Sequence, residues 1–210
     1  MTPNLHDTTD ARVVESLRTA LDADPTTLDR LADELAVRAA ADDLLDVAVR
    51  RVESPFGPLL VAVTPTGVVR VAFEREDHDA VLADLARRVS PRILETDRGT
   101  DEAARELDEY FAGRRRRFEL PLDLRLVGGF RREVVEALPD IPYGTTASYG
   151  ALAIEVGHPK AVRAVGSACA NNPLPVIVPC HRVVRSDGTI GNYLGGTDAK
   201  RALLAMEAAA

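Results

Sequence analysis

The sequence predicts an α+β fold: a small N-terminal α/β domain built on an antiparallel sheet, then a mostly helical C-terminal domain containing a helix-turn-helix. Three observations carry this. Apolar residues switch from helical spacing to a period of two at Val47, two apolar runs are joined by the turn Thr64-Pro65-Thr66-Gly67, and helical spacing returns in two short segments around Gly157-His158-Pro159. A chain of 210 residues can hold two such cores. The expected organisation is a helical extension over 1–46, an α/β domain over 47–120 and a C-terminal domain over 121–210.

Residues 11–46 read as helical. One stripe is Val14-Leu17-Leu21, and a second, Leu28-Leu31-Ala32-Leu35-Ala36, is opened by Asp24 as cap and Pro25 at the first helical position. Strands follow at Val47-Val49, Leu59 to Val63 and Val68 to Phe73. Amphipathic helices are then expected over Asp79 to Val89 and Asp101 to Phe111, the second ended by Gly113. Arg114-Arg115-Arg116-Arg117 fits a solvated loop or a phosphate contact, and FELPLDL reads as an extended connection between domains. The second half begins with a helix from Phe130 to Leu138 and a turn at Ile141-Pro142-Tyr143-Gly144. Ser148 caps a helix running to Val156, and another helix starts at Lys160.

That last helix has Ala161, Ala164, Val165, Ala168 and Cys169 as its buried stripe, with Arg163, Gly166, Ser167 and Ala170 opposite. A face this bare suits either close packing of two helices or entry of the backbone into a duplex groove, with Arg163 reaching toward the bases. Composition leaves the second option open. The net charge is −7, yet residues 111–210 hold 13 Lys and Arg against 9 Asp and Glu. A polar, acidic N-terminus and the lack of a long apolar run predict a cytoplasmic protein. Cys169 and Cys180, with no CxxC and four scattered histidines, give no disulfide framework and no zinc site; both thiols are expected reduced.

The stretch PLPVIVPCHRVV, Pro173 to Val184, puts Cys180 beside His181. Val176-Ile177-Val178 has the branching of a buried strand, and Pro179 stops it, so the thiol is expected to be accessible where buried backbone meets a turn. A neighbouring imidazole can take up a thiol proton and free the nucleophile, but the dipeptide alone better fits an inert buried cysteine beside a surface histidine, and the surrounding sequence has to decide. Beyond it, Ser186-Asp187-Gly188-Thr189 is a turn, Ile190 to Gly196 a glycine-rich loop and Lys200 to Glu207 a closing helix with Leu203 and Leu204 buried.

The stretches IPYGTTASYGALA, AVRAVGSACANNPLPVIVPCHRVV, SDGTIGNYLGG and KRALLAME, in this order, resemble the O6-alkylguanine-DNA alkyltransferases, also called methylated-DNA–protein-cysteine methyltransferases. The similarity runs through residues 130–207 and, more faintly, through SPFGPLLVAVTPTGVVRVAF and LDEYFAGRRRRFELPLDL. It implies a ribonuclease H-like first domain and a winged-helix-like second one. It also implies repair of double-stranded DNA by a single, irreversible transfer of an alkyl group from O6-alkylguanine, and O4-alkylthymine, to Cys180 after base flipping, by a monomer needing no cofactor or metal.

In that scheme His181 draws the proton from Cys180 through a water, Glu207 orients the imidazole and Asn172 braces the turn. Tyr149 hydrogen-bonds the flipped guanine, and Arg163 fills the gap in the stack. Ser148, Tyr149, Gly166, Ser167 and Ala170 meet DNA, while Val183, Tyr193, Leu194 and Lys200 border the base. Phe130-Arg131 and Val135 stand where the family has Phe-Gln and Trp, and Leu194 where smaller residues are common. A non-reacting lesion sensor is the alternative; known sensors of this shape lack the acceptor thiol, which is present here. A thiol hydrolase using the same dyad fits less well, because no oxyanion stabilisers are evident.

Overall fold

The computed structural model describes residues 45–209, together with Arg30 and Glu34. The helices expected over 11–46 lie outside the described residues, apart from Arg30 and Glu34, which are helical and paired at 2.6 Å.

Strands β1 (Val47–Val52), β2 (Leu59–Thr64) and β3 (Gly67–Phe73) form an antiparallel meander. The hairpin between β2 and β3 carries a bulge, since Ala62 pairs with Arg70 but Val63 with Val68. Gly67 has φ +146°, and a Cβ there would lie 2.2 Å from the Pro121 carbonyl oxygen, so only glycine lets the following connection approach. That connection is not free-running. Val68 N donates to Pro121 O (2.8 Å), and Asp123 N donates back to Val68 O (2.9 Å).

The purely antiparallel expectation needs one correction. β4 (Ile93–Glu95) pairs in parallel with β1, giving the order β3-β2-β1-β4. The crossover to it contains helix α1 (His78–Arg88), capped by the Asp77 carboxylate on Asp79 N and Ala80 N. Val81 and Leu85 of α1 cover one sheet face against Val47, Val49, Leu60 and Ala62. Helix α2 (Asp101–Phe111) turns Ala103, Leu107 and Tyr110 toward a larger cluster shared by the other sheet face and the second half. Burial on both faces is why β2 reads as an unbroken apolar run.

The second half contains α3 (Phe130–Ala137), the short strand β5 (Ala147–Ser148), α4 (Tyr149–Glu155), α5 (Val162–Ala170), the short strand β6 (Val183–Val184) and α6 (Gly196–Ala208). β5 and β6 pair in parallel. The Ser148 hydroxyl caps α4 by accepting from Ala151 N at 3.0 Å. Helix α5 starts at Val162 rather than Lys160, because a turn closed by Ala161 N on His158 O (2.8 Å) precedes it. Ala164 is exposed, contrary to expectation, while Val165, Ala168 and Cys169 are buried. Leu204 is half-buried.

The run Val176–Val178 is buried but is not a strand. Pro173, Pro175 and Pro179 remove three backbone donors from seven residues, and Val176 sits at φ +73°. Val178 N instead closes a turn on Leu174 O (2.8 Å). Of the four arginines after α2, Arg115 is structural. Its guanidinium reaches Glu109 at 2.8 Å and Glu106 at 3.3 Å, while Arg114, Arg116 and Arg117 are exposed.

Candidate active site

Cys180 opens a single turn of 3-10 helix, Cys180–Arg182, that follows Pro179. Pro179 has φ −81° and ψ 58°, and Cys180 N donates to Val178 O at 2.8 Å, which is an inverse γ-turn. Asn172 holds this turn from the other side. Its Nδ2 donates to Val178 O (2.9 Å) and to Cys180 Sγ (3.2 Å), and its Oδ1 accepts from Leu174 N (3.0 Å). The proline-broken segment is thus tied to the end of α5 by one buried amide.

The sulfur is not accessible as expected: Cys180 is 1% exposed in the free chain. The turn that replaces the expected strand draws Cys180 into the core cluster instead of presenting it at a strand end. Burial pushes the thiol up to about 11, against the lowering effects of the Asn172 hydrogen bond and the Lys200 charge. At neutral pH the resting group is therefore a thiol, and a base is needed to activate it.

Cys180 and His181 make no direct hydrogen bond among the described residues, but His181 is firmly placed. Its Nε2 lies 2.9 Å from Glu207 Oε1 on helix α6. Glu207 collects further donors: Tyr110 Oη at 2.6 Å, Arg182 Nε and Nη2 each at 2.9 Å, and Gly144 N at 3.2 Å. Burial would raise its carboxyl, but the hydrogen bonds from His181 and Arg182 outweigh this and hold it at about 2. An ionised carboxylate only accepts, so the shared hydrogen sits on Nε2. Nδ1 is then left as the basic nitrogen, buried and without a protein partner among the described residues. Burial lowers the imidazole's own pKa, and Glu207 opposes that shift.

The residues expected around the base divide into two groups. Tyr149 opens α4, and a Cβ on Gly191 would lie 2.3 Å from its Oη, so the glycine-rich loop passes directly over the phenol. Lys200 is fully buried, donates to the Val183 carbonyl at 2.5 Å and stands 5.8 Å from the Tyr149 ring centre. The Tyr149 hydroxyl is pushed up to about 12, by burial first and then by Cys169 and Cys180. Tyr193 packs edge-on against Phe73 (5.6 Å) and His181 (6.3 Å). Leu194 lies apart from these, half-buried on a cleft of about 340 Å³ shared with Asn171 and Arg131.

On α5, Arg163 and Ser167 are exposed, whereas Gly166 and Ala170 are half-buried, as is Ser148. Arg163 therefore projects from a slim helix surface within the first turn of α5. No group of three or more potential metal ligands occurs among the described residues. Cys169 is buried on the inner side of α5, and burial drives its thiol up to about 12.

Two groups in this network are not singled out by the sequence. Arg182 stands between the residues quoted for the site, and a charge inside the apolar run VIVPCHRVV signals a buried acidic partner. Tyr110, from the first half, carries no such signal, since a tyrosine on the apolar stripe of an amphipathic helix reads as core.

Comparison with known proteins identifies the family of the chain. Residues 129–209 match the 6-O-methylguanine DNA methyltransferase DNA-binding domain, and residues 49–124 match the ribonuclease-like domain of the same proteins. The methylated-DNA–protein-cysteine methyltransferase of Mycolicibacterium paratuberculosis is 47% identical over 168 residues, covering 77% of this chain and 92% of the relative. That of Methanosarcina barkeri is 38% identical over 157 residues, covering 74% and 94%. The crystal structure of Mycobacterium tuberculosis OGT in complex with DNA superposes with a TM-score of 0.67 at 35% identity, covering 77% of this chain and 93% of that one. With both family domains matched in order and relatives covered almost end to end, the chain belongs to the 6-O-methylguanine DNA methyltransferase family.

Proposed function

We propose that this protein repairs alkylated double-stranded DNA by moving the alkyl group from O6 of guanine, and from O4 of alkylated thymine, onto Cys180, once per molecule. The observation that carries this is the thiol at 180, held by Asn172 and followed directly by an imidazole whose far nitrogen is locked onto Glu207. His181 Nδ1 takes the thiol proton through a bridging water. The thiolate attacks the alkyl carbon, the carbon–oxygen bond breaks, and its electron pair passes to the guanine oxygen. Tyr149 supplies a proton to the departing base, leaving unmodified guanine and a thioether on the protein. A thioether resists hydrolysis at neutral pH, so the product stays on Cys180.

Helix α5 is the proposed DNA-contacting element, with Arg163 occupying the space left by the flipped nucleotide. That substitution offsets part of the few kcal/mol, roughly, that unstacking costs. The base enters between Tyr149, Gly191 and Tyr193, and the buried sulfur requires the packing around it to open as the base arrives. Solvent is kept from a nucleophile that can act only once. The match of residues 129–209 to the family's DNA-binding domain supports binding through this half. We take the chain to be organised as 1–46, 47–120 and 121–210, and to act as a monomer in the cytoplasm.

Titrating the protein with excess duplex carrying O6-methylguanine tests the stoichiometry. Transfer should stop at one methyl group per protein, and continued release of repaired DNA beyond one equivalent would sink the single-turnover claim. A duplex carrying O4-methylthymine should compete for the same site. Retention of full damage tolerance by Cys180→Ala would instead favour a non-reacting sensor.

A further inference from the structure

The first half of the chain reaches into the relay through the Tyr110 hydroxyl. Tyr110 lies on α2, its ring held against Phe111, Phe118 and Tyr143 at centroid distances of 5.5, 5.1 and 6.2 Å. Its hydroxyl donates to Glu207 Oε1 at 2.6 Å, the same oxygen that accepts from His181, and stands 3.4 Å from His181 Nε2. Arg182 and Gly144 fix the other side of the carboxylate. Without the hydroxyl, Oε1 would be held by Arg182 and by the imidazole alone.

We propose that Tyr110 is a positioning residue for the alkyl transfer: its hydroxyl orients Glu207 so that His181 keeps its hydrogen on Nε2 and offers Nδ1 to the thiol. This rests on the proposed function, and it adds that the ribonuclease-like half supplies part of the relay. The hydroxyl touches neither substrate nor sulfur; it acts through the carboxylate.

The test compares wild type with Tyr110→Phe and Tyr143→Phe. Tyr143 is a fair control, because its hydroxyl is buried nearby and makes no hydrogen bond among the described residues. Three readouts are taken: the rate of methyl transfer from a methylated duplex, the urea midpoint, and the ¹⁵N shifts of the His181 ring. Wild type should show a pyrrole-type Nε2 and a pyridine-type Nδ1. Tyr110→Phe should mix the two tautomers and slow transfer about tenfold to a hundredfold, while Tyr143→Phe behaves as wild type. A wild-type His181 protonated on Nδ1 would overturn the proposal without any variant. So would Tyr110→Phe with unchanged rate and tautomer, or equal losses in both variants. Absence of any transfer by wild type would instead refute the repair function, and the ring shifts would still decide the role of Tyr110.

Discussion

Replacing Glu207 by glutamine removes one charge from the centre of the network without changing its shape. The carboxylate neutralises Arg182, whose side chain is buried with it, and accepts from five donor atoms on four residues. Leaving a buried arginine without its anion costs about 3 to 5 kcal/mol. Part of that loss should depend on pH, and its sign follows from the folded-state value. Glu207 titrates at about 2 in the fold against an ordinary 4.5. Its contribution is therefore complete above the ordinary value and is lost as pH falls toward 2. A difference of that size, at about 1.4 kcal/mol for each tenfold change, is worth about 3 kcal/mol, of which about 2 disappears between pH 6 and pH 3. Urea unfolding of wild type and Glu207→Gln at both pH values reads this out. The stability gap should be several kcal/mol at pH 6 and narrower by about 2 kcal/mol at pH 3. A gap below about 1 kcal/mol at pH 6, or one that does not narrow in acid, would refute the reasoning that Glu207 is an ionised anchor.

Other expectations are more local. Gly191→Ala puts a methyl group where the Tyr149 hydroxyl already stands. Transfer should fall by tenfold or more, in order of magnitude, while the urea midpoint moves little; a wild-type rate would mean that the loop and the phenol do not share the base site. Arg163 is exposed, so Arg163→Ala should leave stability within about 0.5 kcal/mol. It should slow repair of duplex DNA far more than reaction with the free O6-alkylated base; equal slowing of both would argue against a role in flipping.

Much of the fold is legible in the residues because its signals are local. Thr64-Pro65-Thr66-Gly67 marks the hairpin, Ser148 marks the start of α4, and Gly113, at φ +72°, marks the end of α2. β4 is not legible, since two half-buried residues and the exposed Glu95 pair with a strand far earlier in the chain and carry no periodicity. The Val176–Val178 run shows a different limit. Branched apolar residues announce burial, but the three prolines around them decide conformation, and they outweigh β-propensity. The acceptor pair and its carboxylate are visible through a family resemblance, whereas Tyr110 enters the site only because the tertiary fold brings its hydroxyl on α2 to Glu207 on α6. Burial of the sulfur is likewise a property of the packed structure: a Cys after a proline turn says nothing about what closes over it.

In the proposed reaction the Cys180 sulfur becomes the carbon acceptor. Incubating the whole protein with duplex DNA containing O6-methylguanine, then weighing its proteolytic peptides, tests this directly. One added methyl group on the peptide bearing Cys180, with the peptide bearing Cys169 unchanged and guanine restored in the DNA, is the predicted result. DNA bound and left methylated, with Cys180 unmodified, would contradict it.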